Sequence, residues 1–157
     1  MIIKKISQKE IKQVENLINK VFDKSIACNY SNEGKKLFKE EHSYDKIQEQ
    51  HSNYELELWG CFEDENIVGI IGVKNSNNIC MLYIDESYQR KGIAKCLFNM
   101  IYDKSKLNKS LDKLTVISPL FCVDIFYKLG FVSDGTEQKF NGVGVSVIPM
   151  SIGLYRY

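Results

Sequence analysis

The stretch "IVGIIGV", residues 67 to 73, constrains the fold more than any other. Seven residues without a polar side chain make a strand only if both faces are covered. It is flanked by partners of suitable length. From Glu55 the pattern alternates, with Glu55, Glu57, Trp59 and Cys61 against Leu56, Leu58 and Phe62, which is a half-buried strand. "EDEN" turns the chain before the buried run, "NSNN" turns it after, and Ile79 to Ile84 is a third strand, so an antiparallel meander is expected.

Helical periodicity surrounds this meander. Ile2 to Ile6 is a short strand. Ser7 and Glu10 then form a capping box ahead of apolar positions 11, 14, 17, 18, 21 and 22, giving a helix to about Lys24. "CNYSNEGKKLF" restarts a helix with Ser31 as N-cap and Leu37 and Phe38 inward. Ser43 to about Ser52 is polar and is read as helix. Ile93, Ala94, Leu97, Phe98 and Ile101 mark the inner face of a helix ending near Leu107. Leu114 to Ser118 is a strand reached by a crossover. Pro119 suits the first turn of another helix, with Cys122, Ile125, Phe126 and Leu129 inward and Gly130 as its stop. Phe131 to Asp134 and Val143 to Met150 are the closing strands. Leaving 43 to 52 aside, the order β-α-α-β-β-β-α-β-α-β-β predicts an α/β sheet with helices on its faces. Residues 1–157 read as one domain.

Bulk properties exclude several classes. Lys and Arg number 21 against 20 Asp and Glu, which gives no reason to expect nucleic acid or an anionic membrane surface. No apolar run approaches the roughly 20 residues that span a bilayer, and "MIIKKISQKE" is too polar for a signal peptide, so a cytoplasmic setting is expected. Five cysteines include no CxxC pair, and the two histidines, His42 and His51, lack helical metal-ligand spacing. No metal is expected.

The chemistry concentrates in "YQRKGIAKCL", residues 88 to 97. A strand that runs straight into a helix leaves the first helical amides unpartnered, and a curled connection aims them at an anion beside the positive end of the helix dipole. Gly92 and Ala94 leave room, and Arg90 and Lys91 add charge. Read alone, so short a glycine motif favours an ordinary polar turn.

The wider pattern "MLYIDESYQRKGIAKCL" resembles the acetyl-CoA signature of the GNAT superfamily of N-acetyltransferases, in which an apolar strand leads into Gln/Arg-x-x-Gly-x-Gly/Ala and a helix. "FYKLGF", 126 to 131, is similar to that family's aromatic-Tyr-x-x-Gly-Phe block. "CNYSNEGKKLF" and "NGVGVSVIPM" extend the resemblance over nearly the whole chain. It implies a mixed, mostly antiparallel central sheet flanked by helices, with a splayed central strand pair. It also implies acetyl transfer from acetyl-CoA to a primary amine on a small molecule or protein. The backbone of Leu82, Tyr83 and Ile84 would pair with the pantetheine arm. Gln89, Arg90, Lys91, Gly92, Ile93, Ala94 and Lys95 would hold the pyrophosphate. Tyr127, which by itself reads as core packing beside Phe126, would stand near the thioester sulfur.

Two positions depart from the pattern. Asn78 stands where a histidine would open the central strand, and an amide cannot accept a proton at neutral pH. The base is open between Glu55, Glu57 and Glu137. Ile117 replaces an asparagine, removing a polar contact. A non-catalytic acyl-CoA-binding sensor is therefore the alternative to an enzyme. Glu33, Glu40, Glu41 and Glu55 could attract a cationic amine, with the acceptor site shaped by the first two helices and residues 134 to 147. Strand 143 to 150 could leave an edge for a partner, so monomer and homodimer both remain open.

Overall fold

The computed structural model describes residues 1–139 and 145–156. Its strands are β1 (Ile2–Lys5), β2 (Leu56–Glu63), β3 (Asn66–Lys74), β4 (Asn78–Ile84), β5 (Lys113–Pro119), β6 (Val132–Ser133), β7 (Gln138–Lys139) and β8 (Ser146–Gly153). The α-helices are α1 (Ile11–Val21), α2 (Asn32–Glu41), α3 (Tyr44–Ser52), α4 (Ile93–Lys106) and α5 (Val123–Leu129). One sheet orders the strands β1-β2-β3-β4-β5-β8-β6, with β7 also on β8. Every pairing is antiparallel except β4 with β5.

The doubly covered run behaves as its composition requires. Ile67 and Ile70 of β3 enter one core with α1, Phe38 of α2 and Ile47 of α3. Val68, Ile71 and Val73 enter the other, with Leu97, Phe98 and Ile101 of α4. The predicted inner face of α1 is buried at Ile11, Val14, Leu17, Ile18 and Val21. Helices therefore lie on both faces of the sheet. The Ser7 amide donates to Glu10 Oε1 at 2.9 Å, as the capping box requires.

Several expectations need correction. Residues 8–10 form a 3-10 turn before α1, and a π-helical turn, Phe22–Ile26, widens its end. Leu37 faces outward while Phe38 is buried, because α2 rests on the sheet through a narrow stripe. Pro119 ends β5 ahead of a 3-10 turn, Leu120–Cys122, instead of opening a helix. The closing strands are β6 and β8, with the short β7 added; Val143 lies outside the described residues. Strand β8 offers no edge, because β5 pairs with it on one side and β6 and β7 on the other.

Candidate cofactor cleft and adjoining cavity

The splayed pair is present. β4 and β5 pair only at Asn78↔Thr115 and Ile79↔Val116, although β4 continues to Ile84 and β5 to Pro119. A bulge accounts for the parting. Against β3, Gly72 pairs with Met81 but Val73 pairs with Ile79, so Cys80 is an extra residue in β4 alone. The added residue breaks the register with β5 and leaves the β4 edge beyond it without a strand partner. Asn78 stands at the fork, its Nδ2 donating to Thr115 Oγ1 at 2.9 Å.

The freed edge leads into the loop. Asp85 accepts from the Ser87 amide at 2.9 Å and receives Lys20 Nζ at 2.8 Å. Gln89 Nε2 donates to the Ile84 carbonyl at 3.1 Å. Arg90 (φ 63°) and Gly92 (φ 81°) both take the left-handed conformation, which costs a non-glycine such as Arg90 about 1–2 kcal/mol. Positive-φ residues alternating in this way turn successive N–H groups toward a common concavity. Gly92 is the N-cap of α4, and a Cβ placed there would meet nothing within 4 Å. The first turn of α4 has no acidic residue and no side-chain cap, whereas Ser31, Ser43 and Asp85 each cap their own helix starts. The α4 amides are thus left for an outside anion.

A cavity of about 660 Å³ follows this edge and loop. Leu82, Tyr83, Ile84, Gln89, Arg90, Gly92, Ile93, Ala94 and Lys95 all line it. Lys91 does not; its Nζ sits 5.1 Å from the Tyr88 ring centroid. Lys128 of α5 joins Arg90 and Lys95, and no carboxylate is among the lining residues described. Sequence reasoning missed Lys128, which directly follows Tyr127 in the "FYKLGF" block. A second cavity of about 280 Å³ opens at the fork and shares Ile26, Leu82, Tyr83, Phe121 and Cys122 with the first.

The structure does not bring Tyr127 to either cavity. Its side chain is about half exposed, and α5 instead turns Phe126 into the smaller cavity and Ile125, Lys128 and Leu129 into the larger. The phase of α5 is fixed by Phe126, packed edge-on against Phe131 with centroids 5.4 Å apart. A residue one place on rotates about 100° away.

The carboxylate candidates for the base also lie elsewhere. Glu57 accepts from Lys104 Nζ and Trp59 Nε1, both at 2.7 Å. Desolvation raises its carboxyl, but those donors outweigh it and hold the group below its usual value. Glu55 and Glu137 line neither cavity, and neither do Glu33, Glu40 and Glu41. Burial pushes the thiols of Cys80 and Cys122 up to about 11, and raises the hydroxyls of Tyr30 and Tyr83 as well. Among the described residues, no group of three or more His, Cys, Asp or Glu could hold a metal ion. Nor, among the described residues, is any helix long and apolar enough to cross a membrane.

The Lys20–Asp85 pair yields a pH prediction. The Lys20 hydrogen bond, opposed by desolvation and helped by the Ser87 amide, holds the Asp85 carboxyl below its usual value. Its stabilisation is complete above the unfolded carboxyl pKa of about 4 and is lost as pH falls through the lower native value. Asp85→Asn should therefore be less stable than the native protein at pH 7, with the gap closing in acid. Urea denaturation across that range checks this; a gap that stays constant with pH would refute it.

Solved structures share this architecture. The PaiA N-acetyltransferase of Thermoplasma acidophilum, in complex with coenzyme A, is 20% identical with a TM-score of 0.79, over 97% of this chain and 98% of that one. A GCN5-related N-acetyltransferase from Rhodopseudomonas palustris is 17% identical with a TM-score of 0.83, over 98% and 95%. A spermidine N-acetyltransferase of Vibrio cholerae is 19% identical with a TM-score of 0.69, over 98% and 93%. Among curated proteins no relative matches the sequence. The family model of the acetyltransferase (GNAT) domain matches residues 26–154, and the chain belongs to that family.

Proposed function

We propose that residues 1–157 act as one N-acetyltransferase domain that moves an acetyl group from acetyl-CoA to a primary amine by direct attack. The observation that carries this reading is the continuity of the freed β4 edge with the uncapped start of α4. One surface offers strand-edge backbone to an amide-bearing arm and converging N–H groups to a pyrophosphate. Leu82, Tyr83 and Ile84 would hold the arm. Gln89, Arg90, Gly92, Ile93, Ala94 and Lys95 would hold the phosphates, with Lys91 at the rim and Lys128 opposite. Bound acetyl-CoA supplies an activated thioester. A backbone N–H of the freed edge can stabilise charge growing on its carbonyl oxygen. Five free thiols fit a reducing, cytoplasmic setting.

Thiol release from acetyl-CoA against a broad amine panel tests the reading. Tight binding of acetyl-CoA without release from any amine would leave the non-catalytic sensor in its place. The position of Tyr127 has its own consequence. Because it lines neither cavity, Tyr127→Phe should change turnover less than about threefold, the leaving thiolate taking its proton through solvent. A fall of roughly 10²- to 10⁴-fold, measured where chemistry limits the rate, would return Tyr127 to the role of general acid.

A further inference from the structure

The smaller cavity is walled by Tyr30, Phe38, Tyr83, Phe121 and Phe126, with Asn78 and the exposed Ile117 also lining it. Ile117 is 52% exposed and Phe121 39%, so apolar surface continues from the cavity to solvent. None of the described lining residues is charged. The undescribed residues 140–144, Phe-Asn-Gly-Val-Gly, contain no ionisable side chain. At about 280 Å³ the space exceeds the roughly 150 Å³ of an engineered cavity that accepts benzene.

Such a pocket sets a condition on the amine. An alkyl amine with a pKa near 10 is neutral in about one molecule per thousand at pH 7. It enters as a cation and must lose a proton before it can attack. This pocket supplies neither a counter-ion nor a group able to take that proton. Cys80, Cys122, Tyr30 and Tyr83 stay protonated at neutral pH. Lys74 acts on Cys80 and on His42, and Glu41 acts on His42. His42 stacks behind Phe38 at 4.0 Å and does not line the cavity.

We infer that the acceptor is an arylamine: a primary amine on a flat apolar ring, already neutral at pH 7. The inference deepens the acetyl-transfer reading and rests on it. Delocalisation of the nitrogen lone pair into the ring keeps such an amine unprotonated, so it needs no base in the ground state. The ring stacks or meets edge-on with the aromatic wall. The amine nitrogen attacks the thioester carbonyl carbon, the C–N bond forms and the C–S bond breaks. One N–H proton passes through solvent to the departing thiolate, giving the aryl amide and the free thiol. A polyamine, charged at several nitrogens, would be desolvated here without compensation.

The test compares acetyl-CoA turnover with aniline, benzylamine and spermidine from pH 6 to 9. Aniline should show the highest kcat/KM at pH 7, by at least tenfold, and a flat profile. Benzylamine, matched in its ring but protonated, should rise about tenfold per pH unit. Calorimetry should show aniline binding to the protein saturated with CoA. In Ile117→Glu, which adds a carboxylate at an exposed position, the aniline-to-benzylamine ratio should fall at least tenfold while acetyl-CoA affinity holds. If spermidine or benzylamine is preferred at pH 7, the inference fails and acetyl transfer stands. If aniline is inactive while longer acyl-CoA donors are favoured, the cavity holds the acyl chain and the inference also fails. Acetyl-CoA binding with no thiol release from any amine overturns acetyl transfer itself, and the inference with it.

Discussion

Gly92→Asp is expected to lower affinity for acetyl-CoA by at least tenfold, about 1.4 kcal/mol, in a protein that remains folded. Folding should survive because a Cβ at this position meets nothing within 4 Å. The left-handed backbone is one that Asp adopts more readily than most residues, and an aspartate at the start of a helix complements its dipole. That complementation is the reason binding should suffer. The carboxylate would occupy the α4 amides that the reading reserves for pyrophosphate and would neutralise part of the Arg90, Lys95 and Lys128 field. Calorimetry with acetyl-CoA, beside circular dichroism of the variant, decides the matter. Unchanged affinity in a folded variant would remove the phosphate assignment. Gly92→Ala separates the contributions: it adds a side chain without charge, so its loss should be smaller.

The contrast between these local features and the errors elsewhere shows which signals a sequence carries. The meander, α1 and α4 were legible because each rests on a period within a single segment, and the 67–73 run is apolar enough to demand cover on both faces. The strand-to-helix loop at Gly92 was legible because a glycine between a strand pattern and a helix pattern has a backbone reason to be there. The bulge at Cys80 was not visible in "NNICMLYI", since it is a mismatch of register between β3 and β4 and belongs to neither alone. The helical period placed Phe126 inward, as found, whereas the role of Tyr127 came from the family resemblance alone and not from its phase on α5. The contact of Phe126 with Phe131 holds that phase. The pairing of Glu57 with Lys104 was not legible, because nothing in the sequence links the two positions. Tyr30 with Phe38, Tyr83, and Phe121 with Phe126 come from three separate stretches of the chain, so the aromatic wall exists only after folding.

Phe22→Ala is expected to cost about 3–5 kcal/mol, a large share of a total near 5–15 kcal/mol for a domain of this kind. Phe22 is 1% exposed, stacks on Phe38 with centroids 4.0 Å apart, and meets Tyr30 edge-on at 5.2 Å. It also begins the widened π turn that carries the chain from α1 toward Ile26 and Tyr30. Truncation would leave a ring-sized void between α1 and α2, and neighbours so closely packed can close it only in part. The functional damage should be uneven. Tyr30 and Phe38 wall the smaller cavity, whereas the end of the larger one beside Gly92 rests on α4 and the second core. Measured in the folded variant at low temperature, KM for the amine should rise more than the dissociation constant for acetyl-CoA. Phe22→Leu, which keeps most of the volume but not the stacking, should fall between. A stability loss under about 1 kcal/mol would mean that the aromatic cluster is not holding this side of the sheet. Equal losses for amine and acetyl-CoA would mean that the two sites are not built on separate cores. The uneven loss is what the sheet's construction predicts, because α1 and α2 cover one of its faces and α4 the other.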